Sequence, residues 1–250
     1  MKQPAIQVYR DRHLLAEAAA NHFVDQAHKN ISRHGRFNVA LSGGSTPSEM
    51  HQLLATKYAD SVDWNRVDFF WGDERYVPQD HPESNYFMAK NTLLDHIDIE
   101  PSQLHGIAVD LAPDEAAKAY TRTLRDSLGD AGPSLDLVFL GMGDDGHTAS
   151  LFPGTRALKD TQNWVVANLV EKLDTWRITL TAPYINQARQ VTFLVAGENK
   201  AIALRKVLEG PCQPERYPSQ LIKPMNGQLL WLIDLAAAGQ LQILEGLILE

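Results

Sequence analysis

The chain has 250 residues, of which 44% are hydrophobic and 22% charged, with a formal net charge of −8 and one cysteine; this is ordinary globular composition, long enough for a sizeable core. The acidic balance argues against a nucleic-acid binder, which needs a basic face for phosphates, but a few basic residues in one cleft would still hold a small anionic substrate. Cys212 alone cannot form an intrachain disulfide, the polar residues 1–12 hold no signal-peptide core, and no run reaches the ~20 apolar residues of a membrane span. The expectation is a cytoplasmic protein with no membrane partner, a monomer or small homo-oligomer.

Residues 11–34 read as a helix, with apolar positions at Leu14, Leu15, Ala18, Ala19, Phe23 and Ala27. Residues 37–41 are a short buried strand, and a helix starts at Pro47. Residues 67–71 form a strand that ends in Gly72, Asp73, Glu74 and Arg75. Ser84 caps a helix running to about His96. Residues 104–109 are a weak strand, 113–128 a helix and 135–140 a strongly apolar strand. Strands follow at 164–169, 178–180, 191–195 and 229–233, with a helix at 199–209 between the last two, and 211–224 reads as a surface loop. This alternation predicts an α/β fold: one domain over residues 1–250, with a Rossmann-like, mostly parallel sheet and helices on both faces.

Ligands in such sheets sit at the carboxyl ends of the strands, and three unusual segments fall there. Ser42, Gly43, Gly44, Ser45 and Thr46 follow a strand and open a helix. Glycines allow close approach, and the helix start offers free amides and positive dipole, so a phosphate fits. A plain tight turn with Thr46 as N-cap is the alternative. Asp73, Glu74 and Arg75 pack two carboxylates and a guanidinium at a strand end; a solvated, self-paired loop is the alternative. In the third segment Gly141, Gly143 and Gly146 match G-x-G-x-x-G, but Asp144 and Asp145 would repel a pyrophosphate and Pro153 cuts short the helix a dinucleotide site needs. The segment reads better as a flexible loop presenting His147, a residue type suited to proton transfer, with Asp145 to orient its ring. Neither a metal site nor a Ser-His-Asp hydrolase is expected, since there is no His-x-x-x-His, cysteine pair or G-x-S-x-G elbow. Arg177, and Lys200 at a helix start, are either surface charges or anion ligands.

Taken together, "LSGGSTP" (41–47), "WGDERYVP" (71–78) with "ESNY" (83–86), "GMGDDGHTASLFPG" (141–154), "RITLT" (177–181) and "GENKA" (197–201) resemble the 6-phosphogluconolactonase family, related to glucosamine-6-phosphate deaminase/isomerase. The resemblance implies hydrolysis of 6-phospho-D-glucono-1,5-lactone, the second step of the oxidative pentose phosphate pathway, without a cofactor. By position it implies that Ser42 to Thr46, Arg177 and Lys200 hold the phosphate and that Arg75 faces the substrate. His147 would be the acid/base, oriented by Asp145, with Asp73 as a second carboxylate in the cleft. The deaminase relatives keep a glutamate five residues after the histidine, where this chain has Phe152. Two rivals remain open: a sugar-phosphate isomerase or deaminase, which Phe152 disfavours, and a non-catalytic sugar-phosphate sensor, which need not keep His147 or Asp73. A second departure is Asp174-Thr175-Trp176, where the lactonase pattern has a proline pair before Arg177.

Overall fold

A computed structural model describes residues 4–128 and 135–242; Met1 to Gln3 of the polar N-terminal stretch lie outside them. In chain order the strands are β1 (Ala5–Tyr9), β2 (Phe37–Leu41), β3 (Val67–Trp71), β4 (Asp73–Arg75), β5 (Leu137–Gly141), β6 (Val165–Val170), β7 (Thr175–Leu180), β8 (Gln190–Val195) and β9 (Gln228–Asp234). The α-helices are α1 (Arg12–His34), α2 (Ser45–Thr56), α3 (Asn85–Thr92), α4 (Pro113–Leu128), α5 (Ala182–Ile185), α6 (Ala201–Leu208) and α7 (Leu235–Ala238).

Six strands pair in parallel in the order β1-β9-β8-β5-β2-β3. Every residue of β3 and β8 is buried, as expected for strands covered on both faces. From β2 the chain steps outward to β3, then returns to the other side of β2 at β5. The strand order therefore reverses between β2 and β5, which opens a crevice at their carboxyl ends.

Helix α1 shows how local sequence and core agree. The Asp11 side chain caps its start by accepting from the Leu14 amide at 3.0 Å, and Gly35, at φ 89°, ends it by donating to the Ile31 carbonyl. Leu15, Ala19, Phe23 and Ala27 are buried at i, i+4 spacing. Phe23 sits edge-on to Phe37 at 5.2 Å and stacks with Phe69 and Phe139, so one residue ties α1 to three strands.

Several elements differ from the sequence expectation. A second sheet, β4-β7-β6, is antiparallel, so Asp73, Glu74 and Arg75 are a strand in their own right rather than the frayed end of β3. β1 was hidden in a polar stretch because an edge strand buries only one residue fully. The 104–109 strand reduces to a single bridge between Leu104 and Phe69. His105 donates to the Phe69 carbonyl at 2.9 Å, after which Gly106 lies close against the Tyr86 ring. The helix begun by Ser84 stops at Thr92, followed by a 3-10 turn over Leu94–His96, and the helix at 199–209 is a 3-10 turn (Glu198–Lys200) leading into α6. Segment 211–224 is not merely surface: Ser219 and Gln220 are buried, and the Gln220 amide donates to the carbonyls of Lys206 and Pro211.

His51 is fully buried on α2. Thr92 Oγ1 donates to the Met88 carbonyl at 2.7 Å, so it accepts from His51 Nδ1 at 3.1 Å, and Nε2 is left without a partner. Burial pushes the imidazole down to about 3 and that of His22 down to about 4. The unfolded chain therefore takes up protons that the folded chain refuses. The neutral-His contribution is complete above the unfolded value near 6.5 and is lost as pH falls toward the folded values. Between pH 6.5 and 5.5, urea unfolding is expected to show His51 alone removing about 1 kcal/mol of stability. A His51→Leu variant is expected to flatten that dependence; an unchanged slope in the variant would contradict this role.

Candidate functional site

At the end of β2 the chain turns through Ser42 and Gly43 into α2. Gly44 is the N-cap at φ 111°, a conformation that suits glycine, and no side chain caps the helix. Helix α2 thus begins at Ser45, two residues before Pro47, and the N-cap is Gly44 rather than Thr46. The first-turn amides of Ser45 and Thr46 open toward the strand ends, the arrangement that receives anions. Ser42 and Thr46 are buried, and Ser45 is exposed, its Oγ accepting from Arg12 Nη1 at 3.4 Å. A Cβ on Gly43 would lie 1.9 Å from Asn85 Oδ1, so only glycine lets the loop pass under Asn85.

Asn85 also donates to the Asp73 carbonyl at 2.8 Å and so joins the first loop to the second. Within β4 the three charged residues have separate fates. Glu74 is buried and does not pair with the Arg75 side chain: its carboxylate accepts from the amides of Arg75, Asn85 and Tyr86 at 2.7, 2.7 and 2.8 Å and from Ser84 Oγ at 3.1 Å. It anchors the start of α3. Burial raises its proton affinity above the ordinary carboxylate range, against those amides and with help from the neighbouring Asp73 charge. Asp73, also buried, accepts from Ser150 Oγ at 2.6 Å, which ties β4 to the histidine loop.

Arg75 is paired in register with Arg177 across β4 and β7. Arg75 donates to the Glu83 carbonyl at 2.8 Å, and Arg177 to Thr175 Oγ1 at 3.1 Å and the Trp176 carbonyl at 3.3 Å. Neither has an ion pair among the described residues. Burial and the Arg75 charge lower the Arg177 proton affinity, with Asp73, Glu83 and Glu74 opposing. Two adjacent guanidiniums without a bridging carboxylate favour an anionic ligand.

Past β5, the Gly143 amide donates to the His147 carbonyl at 2.9 Å and the Gly146 amide to the Gly143 carbonyl at 3.1 Å. The Ser219 amide and Oγ both donate to the Gly146 carbonyl, at 3.0 and 2.9 Å. The loop expected to be flexible is strapped down by the 211–224 segment. His147 Nδ1 lies 2.5 Å from Asp145 Oδ1. An ionised carboxylate only accepts, so Nδ1 carries the proton and Nε2, which bonds to no described residue, is the open nitrogen of the neutral ring. Burial favours protonation of Asp145, but hydrogen bonds from His147 and Lys172 outweigh it and hold the carboxyl well below the usual range. Phe152 stacks on the imidazole with centroids 4.0 Å apart and planes at 23°. A Cβ on Gly143 would fall 2.0 Å from His147 Nδ1, so this glycine makes room for the ring.

Of the residues singled out in the sequence, the structure joins Asp145 to His147, Arg75 to Arg177, and Asp73 to both neighbouring loops through Asn85 and Ser150. Lys200 follows β8, which is hydrogen-bonded to β5, and shares the same sheet edge. Gly197 leads into that turn at φ 100°, and its amide is held by Asp234 at 3.0 Å. Sequence reasoning missed Arg12, Ser219 and Lys172, none of which has a local motif to mark it, and it placed Asn85 within "ESNY" without giving it a role. Among the described residues no group of three or more His, Cys, Asp or Glu is placed to hold a metal ion, and no helix is long and apolar enough to cross a membrane.

The model of the glucosamine-6-phosphate isomerases/6-phosphogluconolactonase family matches residues 10–231. The chain belongs to this family. It is 40% identical over 242 residues to a 6-phosphogluconolactonase of Nostoc sp., covering 95% of this chain and 98% of that one. The structure of 6-phosphogluconolactonase from Trypanosoma cruzi superposes with a TM-score of 0.86 at 29% identity, covering 96% of this chain and 97% of that one. A monomeric glucosamine-6-phosphate deaminase shares the fold, with a TM-score of 0.79 at 24% identity over 95% of this chain and all of that one.

Glu74 offers a test of how the site is held. Glu74→Ala strands the buried amide of Asn85 and the part-buried amides of Arg75 and Tyr86, and is expected to cost about 3 kcal/mol in urea unfolding. A loss below about 1 kcal/mol would show that α3 does not depend on it.

Proposed function

We propose that this family member hydrolyses 6-phospho-D-glucono-1,5-lactone to 6-phospho-D-gluconate, the second step of the oxidative pentose phosphate pathway, with residues 1–250 acting as one lactonase domain. The observation that carries the reading is His147, with Nδ1 committed to Asp145 and Nε2 open beside Phe152. The apolar Phe152 ring occupies the position where the deaminase pattern keeps a catalytic acid, which favours the lactonase over its sister chemistry.

In this reading Ser42, Gly43, Gly44, Ser45 and Thr46 hold the substrate phosphate at the start of α2, together with Arg177 and Lys200. That grip orients the distant lactone carbonyl. Water attacks the carbonyl carbon and its proton passes to His147 Nε2. Charge builds on the carbonyl oxygen, and Arg75, or loop amides other than those of Gly143 and Gly146, stabilises it. Collapse of the tetrahedral intermediate breaks the bond from C1 to the ring oxygen, and His147 returns its proton to that oxygen. Asp145 keeps the ring in the productive tautomer throughout. Asp73, hydrogen-bonded to Ser150, is the second carboxylate of the cleft and holds the histidine loop against β4.

The test is acid release from freshly prepared lactone, measured above the spontaneous rate. His147→Asn is expected to fold normally and lose about 10²–10⁴ in kcat. Arg177→Ala and Lys200→Ala are expected mainly to raise KM. Wild-type turnover in the His147 variant would overturn the assignment, and ammonia release from glucosamine-6-phosphate by the wild type would favour the sister reaction.

A further inference from the structure

Lys172 touches both groups that hold His147. It lies in the 3-10 turn Glu171–Leu173 that links β6 to β7, a turn closed by Asp174 at φ 47°. Its Nζ donates to Asp145 Oδ2, while Oδ1 of the same carboxylate takes His147 Nδ1 at 2.5 Å and the His147 amide at 3.1 Å. The same Nζ lies 5.0 Å from the centre of the Phe152 ring, the ring that stacks on the imidazole.

Lys172 is 54% exposed, and an exposed ion pair contributes little stability, about 0–1 kcal/mol. Its effect is therefore on orientation and charge. A carboxylate bonded through one oxygen only can swing, whereas one bonded through both is fixed in direction. A carboxylate with no second cation also favours the protonated imidazole more strongly, and a protonated ring cannot accept the proton of water.

We propose that Lys172 is a positioning residue for this site, holding the second oxygen of Asp145 so that the first stays on His147, and offsetting the carboxylate's charge so that the ring's open nitrogen remains a base. The proposal rests on His147 being the acid/base of the lactonase reading. The titratable groups near the pair are Asp144 and Asp145 on its own loop, Lys172 from the hairpin, and Tyr217, whose ring packs against Gly146. Of these, Lys172 is the cation. It also places the base-orienting contact on the hairpin whose second strand carries Arg177, so the proposed phosphate grip and the alignment of the base share one element.

The experiment compares wild type, Lys172→Met and Lys172→Arg by NMR titration of the His147 imidazole and by the pH profile of kcat for lactone hydrolysis. In Lys172→Met the imidazole midpoint is expected to rise by about half a unit or more, and the acidic limb of the kcat profile to move with it. At neutral pH kcat is expected to fall roughly tenfold with KM within about twofold of wild type. Lys172→Arg, which keeps a cation on the same oxygen, is expected to restore both. An unmoved imidazole titration in Lys172→Met would overturn the proposal, and so would a rise in KM alone, which would mark Lys172 as a substrate contact. If the titration moves but the wild type does not accelerate lactone hydrolysis, the positioning role stands and the lactonase reading falls.

Discussion

The constraint that organises the molecule is the reversal of strand order at β2. Strands leaving β2 in opposite directions cannot both be covered by the same connection, so a crevice opens where β2 and β5 end. Two loops emerge at that crevice with complementary chemistry. One is a helix start with free amides; the other presents an imidazole. The short antiparallel sheet then packs against the same edge, because β4 begins one residue after Gly72, whose amide donates to the Leu41 carbonyl at 2.9 Å and whose carbonyl accepts from Leu180 at 2.9 Å. Gly72 is thereby the joint between the two sheets, three residues before Arg75, which pairs in register with Arg177.

Electrostatics divides the acidic residues of the site into distinct tasks. Glu74 is spent on backbone amides and builds the scaffold of α3. Asp73 is engaged by Ser150 and ties two loops. Asp145 is shared between an imidazole and an ammonium, and hydrogen bonding keeps it ionised against its own burial. Among the described residues the guanidiniums of Arg75 and Arg177 have no ion-paired carboxylate, although three acidic residues lie within electrostatic reach of Arg177. A chain of net charge −8 thus keeps a locally cationic wall where a phosphorylated substrate is proposed to bind.

Much of this was legible in the residues themselves. The glycine-rich turns after β2 and β5 carry their meaning locally, and Asp145 and His147 are only two positions apart, so their pairing could be read directly. The central strands announced themselves as continuous apolar runs. What escaped was long-range or short. A three-residue strand such as β4 has too few positions to show a period of two, so Asp73 to Arg75 looked like a strand end. The Arg75–Arg177 register depends on antiparallel pairing of segments far apart in the chain, which no local pattern encodes. Ser219 acts through a single carbonyl, that of Gly146, and its surroundings of proline, glutamine and glycine read as loop. Lys172 was passed over because an exposed lysine in a turn is ordinary until its partner is seen.

The central claim is that one crevice holds the phosphate at the start of α2 and the reacting carbon beside His147. A crystal structure with 6-phosphogluconate bound tests it most directly. The account predicts the phosphate on the amides of Ser45 and Thr46 with Arg177 in contact, and the C1 carboxylate within hydrogen-bond reach of His147 Nε2. A product lying with its carboxylate on α2 and its phosphate at His147, or bound away from the ends of β2 and β5, would contradict it.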